Sequence, residues 1–167
     1  RQREKSGGQL VEQIIHMVDL MRFLMGEAET VYSLQRNLFH RDVPDYTVED
    51  TSGTVFGFEN GGIGVIYASN NAVPGQWIND YRVVTQKMMA EFSDANNAMF
   101  TYTLEEPLRV EAVKSAENIY KLEMLDLFDA IATGRPANTP LREGAKSLDL
   151  ALAAVRSAES GGVATVD

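Results

Sequence analysis

The sequence contains no cysteine, which excludes disulfides, thiolate metal sites and cysteine nucleophiles and agrees with a cytoplasmic protein. Long apolar runs are also missing. The longest fall far short of the roughly 20 residues a spanning helix needs, so the chain reads as soluble with no membrane partner. Positive charge is scarce: 15 Lys and Arg stand against 24 Asp and Glu, for a formal charge of −9, and the cations are scattered. Nucleic acid and anionic membrane surfaces draw on clustered positive charge, so neither is an expected partner. No G-x-S-x-G elbow and no Ser-x-x-Lys pair occurs. A phosphate-binding glycine loop is absent too. Gly57, Gly61, Gly62 and Gly64 lie close together, but between two strands, not between a strand and a helix. No signal-peptide pattern opens the chain, and RQREKSGG, with Arg1 in place of an initiator methionine, reads as the middle of a longer protein.

What is present has the balance of a folded domain. Apolar residues make up 44% and charged residues 23% of the 167, enough to bury one substantial core, and residues 1–167 are read as a single domain. The most informative stretch is residues 6–27, SGGQLVEQIIHMVDLMRFLMGE. The glycine-led approach and the apolar periodicity predict one helix from Gln9 to about Met25, ended by Gly26. At about 100° per residue, the steps from Glu12 to His16 to Asp19 place all three on one face of that helix. Its surroundings are apolar, and buried ionisable groups are costly unless paired or used.

Three readings of that trio stay open. His16 is a general acid/base, with Glu12 orienting or charge-stabilising the imidazolium and Asp19 holding the other nitrogen. Alternatively His16 is a core histidine satisfied locally, with Asp19 paired to Arg22 at helical spacing. A divalent metal on Glu12, His16 and Asp19 is a third reading, although the second histidine of the zinc protease helix is lacking.

Beyond this helix, residues 30–39 alternate as a strand, with Val31, Ser33 and Gln35 on one side and Tyr32, Leu34 and Arg36 on the other. Residues 41–50 read as a solvated loop, and His40 as an exposed loop histidine. TSGTVFGFENGGIGVIYAS predicts a hairpin turning at Asn60-Gly61, a pair suited to a type I′ turn. That turn sets Phe58 opposite Ile63, Phe56 opposite Val65 and Gly57 opposite Gly64. Paired glycines leave room for close approach, and both sheet faces look covered, one by helices and the other by a partner subunit. Residues 70–79 form a polar loop with the one tryptophan, Trp77, which borders a pocket or plugs a strand end. Four more strands follow at about 81–86, 89–92, 98–104 and 108–113, as an antiparallel meander. Two helices close the chain: one with Ile119, Leu122, Leu125, Phe128 and Ile131 on its apolar face, the other packing through Leu148, Leu152, Val155 and neighbouring alanines. The expected fold is α+β: an open, mainly antiparallel sheet with helices on one face and the other face free for oligomerisation.

The opening stretch resembles the start of the C-terminal domain of the glucose-fructose oxidoreductase/inositol dehydrogenase/rhizopine catabolism (Gfo/Idh/MocA) oxidoreductases. In that family a glycine pair or triple, an acid and a histidine four residues on are followed by Asp, Arg and Leu-x-Gly. VEDTSGTVFGFENGGIGVIYAS resembles the family hairpin, and LFDAIATGRPANTPLREGAKSLDLALAAVRSAESGGVATVD its closing helices and strand. Two positions depart: the family acid is commonly Asp and is Glu12 here, and Ile14 stands where glycine is common.

The resemblance implies an NAD- or NADP-dependent dehydrogenase whose cofactor is bound mainly by an N-terminal Rossmann domain absent from these residues. A lysine from that domain's Glu-Lys-Pro motif would work with this chain. It further implies His16 and Glu12 as catalytic residues and a sugar, polyol or related hydroxy compound as substrate, with Lys5, Asn70 and Trp77 as substrate-binding candidates. A homo-oligomer would form through the open sheet face. The rival reading is a non-catalytic interaction or oligomerisation module of the same fold.

Overall fold

In the computed structural model, which describes residues 2–166, three short helices come first: α1 (Arg3–Ser6), α2 (Gln9–Glu12) and α3 (Ile15–Met25). Strands β1 (Ala28–Arg36), β2 (Thr51–Phe58) and β3 (Ile63–Ser69) follow, then β4 (Tyr81–Val84), β5 (Met88–Phe92), β6 (Asn97–Tyr102) and β7 (Arg109–Lys114). The chain closes with α4 (Ile119–Thr133), α5 (Leu141–Ser160) and β8 (Ala164–Thr165). The class is α+β, as expected, and the strands form two open, four-stranded antiparallel sheets, ordered β3-β2-β1-β8 and β4-β5-β6-β7. They belong to two compact units. One comprises the described residues up to Pro74 together with those from Thr139 on, and the other is Gly75–Asn138.

In the first unit, β1 buries Val31, Ser33 and Gln35 and exposes Tyr32, Leu34 and Arg36, the alternation its sequence predicts. Leu10, Val18, Phe56, Phe58, Leu150 and Ala154 are central to the core, with Met21 and Met25 of α3 packed against it. Small residues on α5 let the helix sit close to β1, and the Ser33 N–H donates to Ser157 Oγ at 2.9 Å. The buried stripe of α5 is Ser147, Leu150, Ala151, Ala154 and Ser157 with Ala153, while Leu148 and Leu152 remain over a third exposed. The face predicted from Leu148, Leu152 and Val155 is therefore rotated. The polar Ser147 and Ser157 turn inward because each has a partner there.

The hairpin register differs from the expected one by a residue. The Phe58 N–H donates to the Gly62 carbonyl at 3.0 Å and the Gly61 N–H to the Phe58 carbonyl at 2.8 Å, with Gly61 at φ +80°. This is a three-residue loop with a glycine bulge, not a two-residue turn. Gly57 pairs with Ile63, Phe56 with Gly64 and Val55 with Val65. The slip divides the apolar residues between faces. Phe56 and Phe58 enter the core, whereas Ile63, Val65 and Tyr67 point into solvent at 71%, 67% and 79% exposure.

A glycine is still required where the sheet meets α3, because a Cβ on Gly64 would collide with Met21 Sδ and touch the Phe58 ring at 3.1 Å. Gly64→Val is expected to lower stability by about 1–3 kcal/mol through overpacking. The midpoint of guanidinium unfolding, followed by circular dichroism, reads this.

The predicted continuous helix is interrupted at Gln13-Ile14. Both the Gln13 and Ile14 N–H groups donate to the Gln9 carbonyl, and the Met17 N–H reaches back only three residues to Ile14. Arg22, 7% exposed, anchors the lower half of α3. Its guanidinium donates to Glu27 at 2.9 Å, to the Glu143 carbonyl at 3.0 Å and to Ser147 Oγ at 2.8 Å. With Lys146 assisting, Arg22 holds the Glu27 carboxyl down to about 2. Asp19 is not Arg22's partner: it accepts a hydrogen bond from Ser147 Oγ of α5.

The second unit is the expected meander. Tyr81 stacks on Phe92 at 4.3 Å between ring centroids, and Phe92 meets Phe100 edge-on at 5.9 Å. Asn118 caps α4 by accepting the Lys121 N–H, and Gly134 ends it in the left-handed conformation. The apolar face predicted on this helix stays in solvent, with Phe128 and Ile131 exposed and only Ala130 buried.

Candidate functional site

The site is built by two adjacent buried acids, Glu49 and Asp50, that sit just before and at the entry to β2 and tie down two different stretches of chain. The Glu49 carboxylate accepts the Leu10 N–H at 3.0 Å, capping an otherwise unsatisfied donor of α2, and pairs with the Arg3 guanidinium at 2.9 Å. Gly8 makes this approach possible. At φ +105°, a Cβ there would stand 2.5 Å and 2.7 Å from the two carboxylate oxygens.

Asp50 is fully buried. It accepts N–H groups from Leu38 at 2.9 Å and Phe39 at 2.8 Å, the Thr51 hydroxyl at 3.1 Å, and lies 3.0 Å from His40 Nδ1. Burial opposes its ionisation. The two amides, with His40 and Thr51, outweigh that and hold the carboxyl below the usual carboxylate range. His40 is fixed further by its own N–H, which donates to Asn37 Oδ1 at 2.9 Å, and by flat stacking on Tyr46 at 4.4 Å.

Between these walls lies a cavity of about 260 Å³, lined by Gln9, Glu12 and Gln13 from the first wall, His40 and Tyr46 from the second, and Asn70 at the end of β3. The Gln9 amide donates to Asn70 Oδ1 at 2.8 Å. Its own side-chain carbonyl is buried without a partner, and an orphaned buried acceptor is costly unless a ligand or water satisfies it.

The structure thus brings together Glu12 and Asn70 of the residues singled out from sequence. His16 follows Glu12 by four positions, on the first turn of α3. It is exposed and makes no side-chain hydrogen bond among the described residues, so it is not a satisfied core histidine. No backbone bond joins His16 to Glu12 across the interruption, so uniform helical phase does not relate them. Lys5 is exposed on α1, and Trp77, 79% exposed, belongs to the second unit.

His40 is the residue that sequence reasoning missed. It is half-buried and clamped, not a free loop histidine. The available signal was Glu49-Asp50, an acid pair placed directly against a strand whose inward residues belong to the core. Among the described residues, no group of three or more His, Asp or Glu side chains is placed to hold a metal ion. No helix is long and apolar enough to cross a membrane.

Against known families, residues 1–91 match the model described as the GFO/IDH/MocA C-terminal domain. No curated protein matches. Among solved structures, a levoglucosan dehydrogenase in complex with NADH is similar at a TM-score of 0.85 and 18% identity, over 96% of this chain and 50% of that one. A putative oxidoreductase from Thermotoga maritima is similar at 0.82 and 19%, over 99% and 49%. The UDP-N-acetylglucosamine 3-dehydrogenase of Acidithiobacillus ferrooxidans is similar at 0.77 and 22%, over 96% and 50%. The chain spans about half the length of these structures, and at such identities the likeness establishes the fold.

Proposed function

The chain belongs to the Gfo/Idh/MocA oxidoreductase family as a C-terminal domain, and from that membership we propose that it forms the substrate side of an NAD- or NADP-dependent dehydrogenase acting on a sugar, polyol or related hydroxy compound. The observation that carries this reading is Glu12 lining a polar cavity, with His16 exposed on the next helix, in a domain of this family.

The described residues offer no strand, glycine loop and helix N-terminus for a dinucleotide, so cofactor binding falls to a separate Rossmann domain. When bound, the nicotinamide supplies the hydride acceptor. His16 accepts the proton of the substrate hydroxyl as the carbonyl forms and returns it in the reverse direction. Glu12, one methylene longer than the aspartate common in the family, hydrogen-bonds substrate hydroxyls from the cavity wall. Asn70, braced by Gln9, orients the substrate from the β3 side with Lys5 as a further contact, and Trp77 is a separate substrate-binding candidate carried by the second unit. The test is a spectrophotometric survey of the full-length protein with NAD and NADP across sugars, polyols and hydroxy acids. A folded protein inert to all of them would refute the reading.

A role in assembly is favoured by the outer sheet face. Tyr32, Val55 and Val65 lie side by side across β1, β2 and β3, flanked by Leu34, Ile63 and Tyr67, all large, apolar and exposed. Such a contiguous patch suits a self-complementary contact between copies. Val65→Lys is expected to convert the oligomer to monomer in sedimentation velocity, with the far-ultraviolet spectrum unchanged.

A further inference from the structure

The cavity described above carries a carboxylate and an imidazole beside the side-chain amides of Gln13 and Asn70. Glu12 contributes the carboxylate, and among the described residues no Lys or Arg lines the cavity. Arg41, next to His40 in the chain, is turned onto the Asn37 carbonyl at 3.0 Å.

His40 adds a second acceptor. Asp50 is ionised and already takes up the N–H groups of Leu38 and Phe39 and the Thr51 hydroxyl, so it has no proton to donate. The hydrogen in the 3.0 Å contact must therefore sit on His40 Nδ1. In the neutral ring this leaves Nε2 as a lone-pair acceptor. The imidazole has no other hydrogen bond among the described residues, and its side chain is 31% exposed. Stacking on Tyr46 and the Asp50 bond together fix the ring's plane and tilt.

We infer that His40 is a substrate-binding residue whose Nε2 accepts a hydrogen bond from a ligand hydroxyl, and that with Glu12 it selects neutral polyhydroxylated compounds over their carboxylated or phosphorylated counterparts. The inference rests on the reading of this cavity as the substrate side of the enzyme. The Glu12 carboxylate and the His40 acceptor, with no cation among the described lining residues, match a ligand that donates through hydroxyls, and an added anionic group would meet Glu12 without a compensating charge. Asp50 is a positioning residue: it acts on the ligand only through the tautomer and tilt of His40.

His16 and His40 are the only histidines, so each imidazole can be followed separately by NMR in labelled protein. The probes are myo-inositol and D-glucose, with D-glucuronate and D-glucose 6-phosphate as anionic counterparts. The neutral probes are expected to shift the His40 ring signals saturably. His40→Phe should weaken their binding roughly tenfold, while His40→Gln, which keeps an acceptor, stays within about threefold. The anionic probes should bind at least about tenfold more weakly than the neutral ones.

Shifts at His16 with His40 unmoved, or unchanged affinity in a folded His40→Phe, would overturn the role of His40 and spare the proposed function. Equal or tighter binding of the anionic probes would overturn the selectivity. Silence at both histidines with every probe would remove the inference and its premise together. In the free wild-type protein, nitrogen shifts reporting Nδ1–H and a bare Nε2 are required; the opposite tautomer refutes the inference without any variant.

Discussion

His16→Ala in the full-length protein is expected to lower kcat for nicotinamide-linked oxidation by about 10²–10⁴-fold, the usual contribution of a positioned acid/base. Its unfolding midpoint should stay within about 0.5 kcal/mol of wild type, as for an exposed position without structural partners. The pairing of effects is the point. A core histidine would lose stability on truncation, but His16 is exposed and has no side-chain hydrogen bond among the described residues. A spectator would change neither quantity. KM should move little, because a proton acceptor contributes most in the transition state. Loss of binding with kcat preserved would instead assign His16 to recognition.

Asp50→Ala is the second large effect and falls on stability. Removing this fully buried carboxylate strands the Leu38 and Phe39 amides, each costing about 1–3 kcal/mol when left unsatisfied, for a total of about 2–6 kcal/mol. Hydrogen exchange locates the loss directly: those two amides should lose protection first. The pH dependence has a definite sign. Because the folded-state carboxyl lies below its unfolded value of about 3.9, the stabilisation is fully present above that pH. It disappears as pH falls through the lowered folded value. The variant should therefore show a flatter acid limb than wild type in urea midpoints measured from neutral to strongly acidic pH. An equally steep limb would mean that other carboxylates dominate.

The fold was legible where local pattern and tertiary burial agree. Alternation in β1 put Val31, Ser33 and Gln35 inside, and Gly134 and Gly161 end their helices where the sequence places them. It was less legible where distant partners decide. Asn60-Gly61 favours a two-residue turn, yet the longer loop is the one that pairs Gly64 with Phe56 on the core face, where Met21 packs over it. Nothing in Gln13-Ile14 announces a helix break, since neither residue is glycine or proline. The start of α2 is set by Glu49 on Leu10 and by Asn70 on Gln9.

The candidate site divides in the same way. Glu12 and His16 stood out as ionisable groups on an apolar helix, and Asn70 as a loop polar residue. His40 did not, because the feature that makes it chemical, an ionised buried Asp50 at its Nδ1, is ten positions away across a loop that pattern alone reads as solvated.

The central claim is that this domain presents a hydroxyl-bearing carbon for oxidation beside proton-handling groups. It is tested most directly by incubating the full-length protein with NAD or NADP and polyols deuterated at each carbinol carbon. Mass spectrometry of the reduced cofactor then reads the outcome. The account predicts deuterium in the nicotinamide ring with the wild type and its near absence with His16→Ala. Substrate turnover that leaves no deuterium in the cofactor would contradict it.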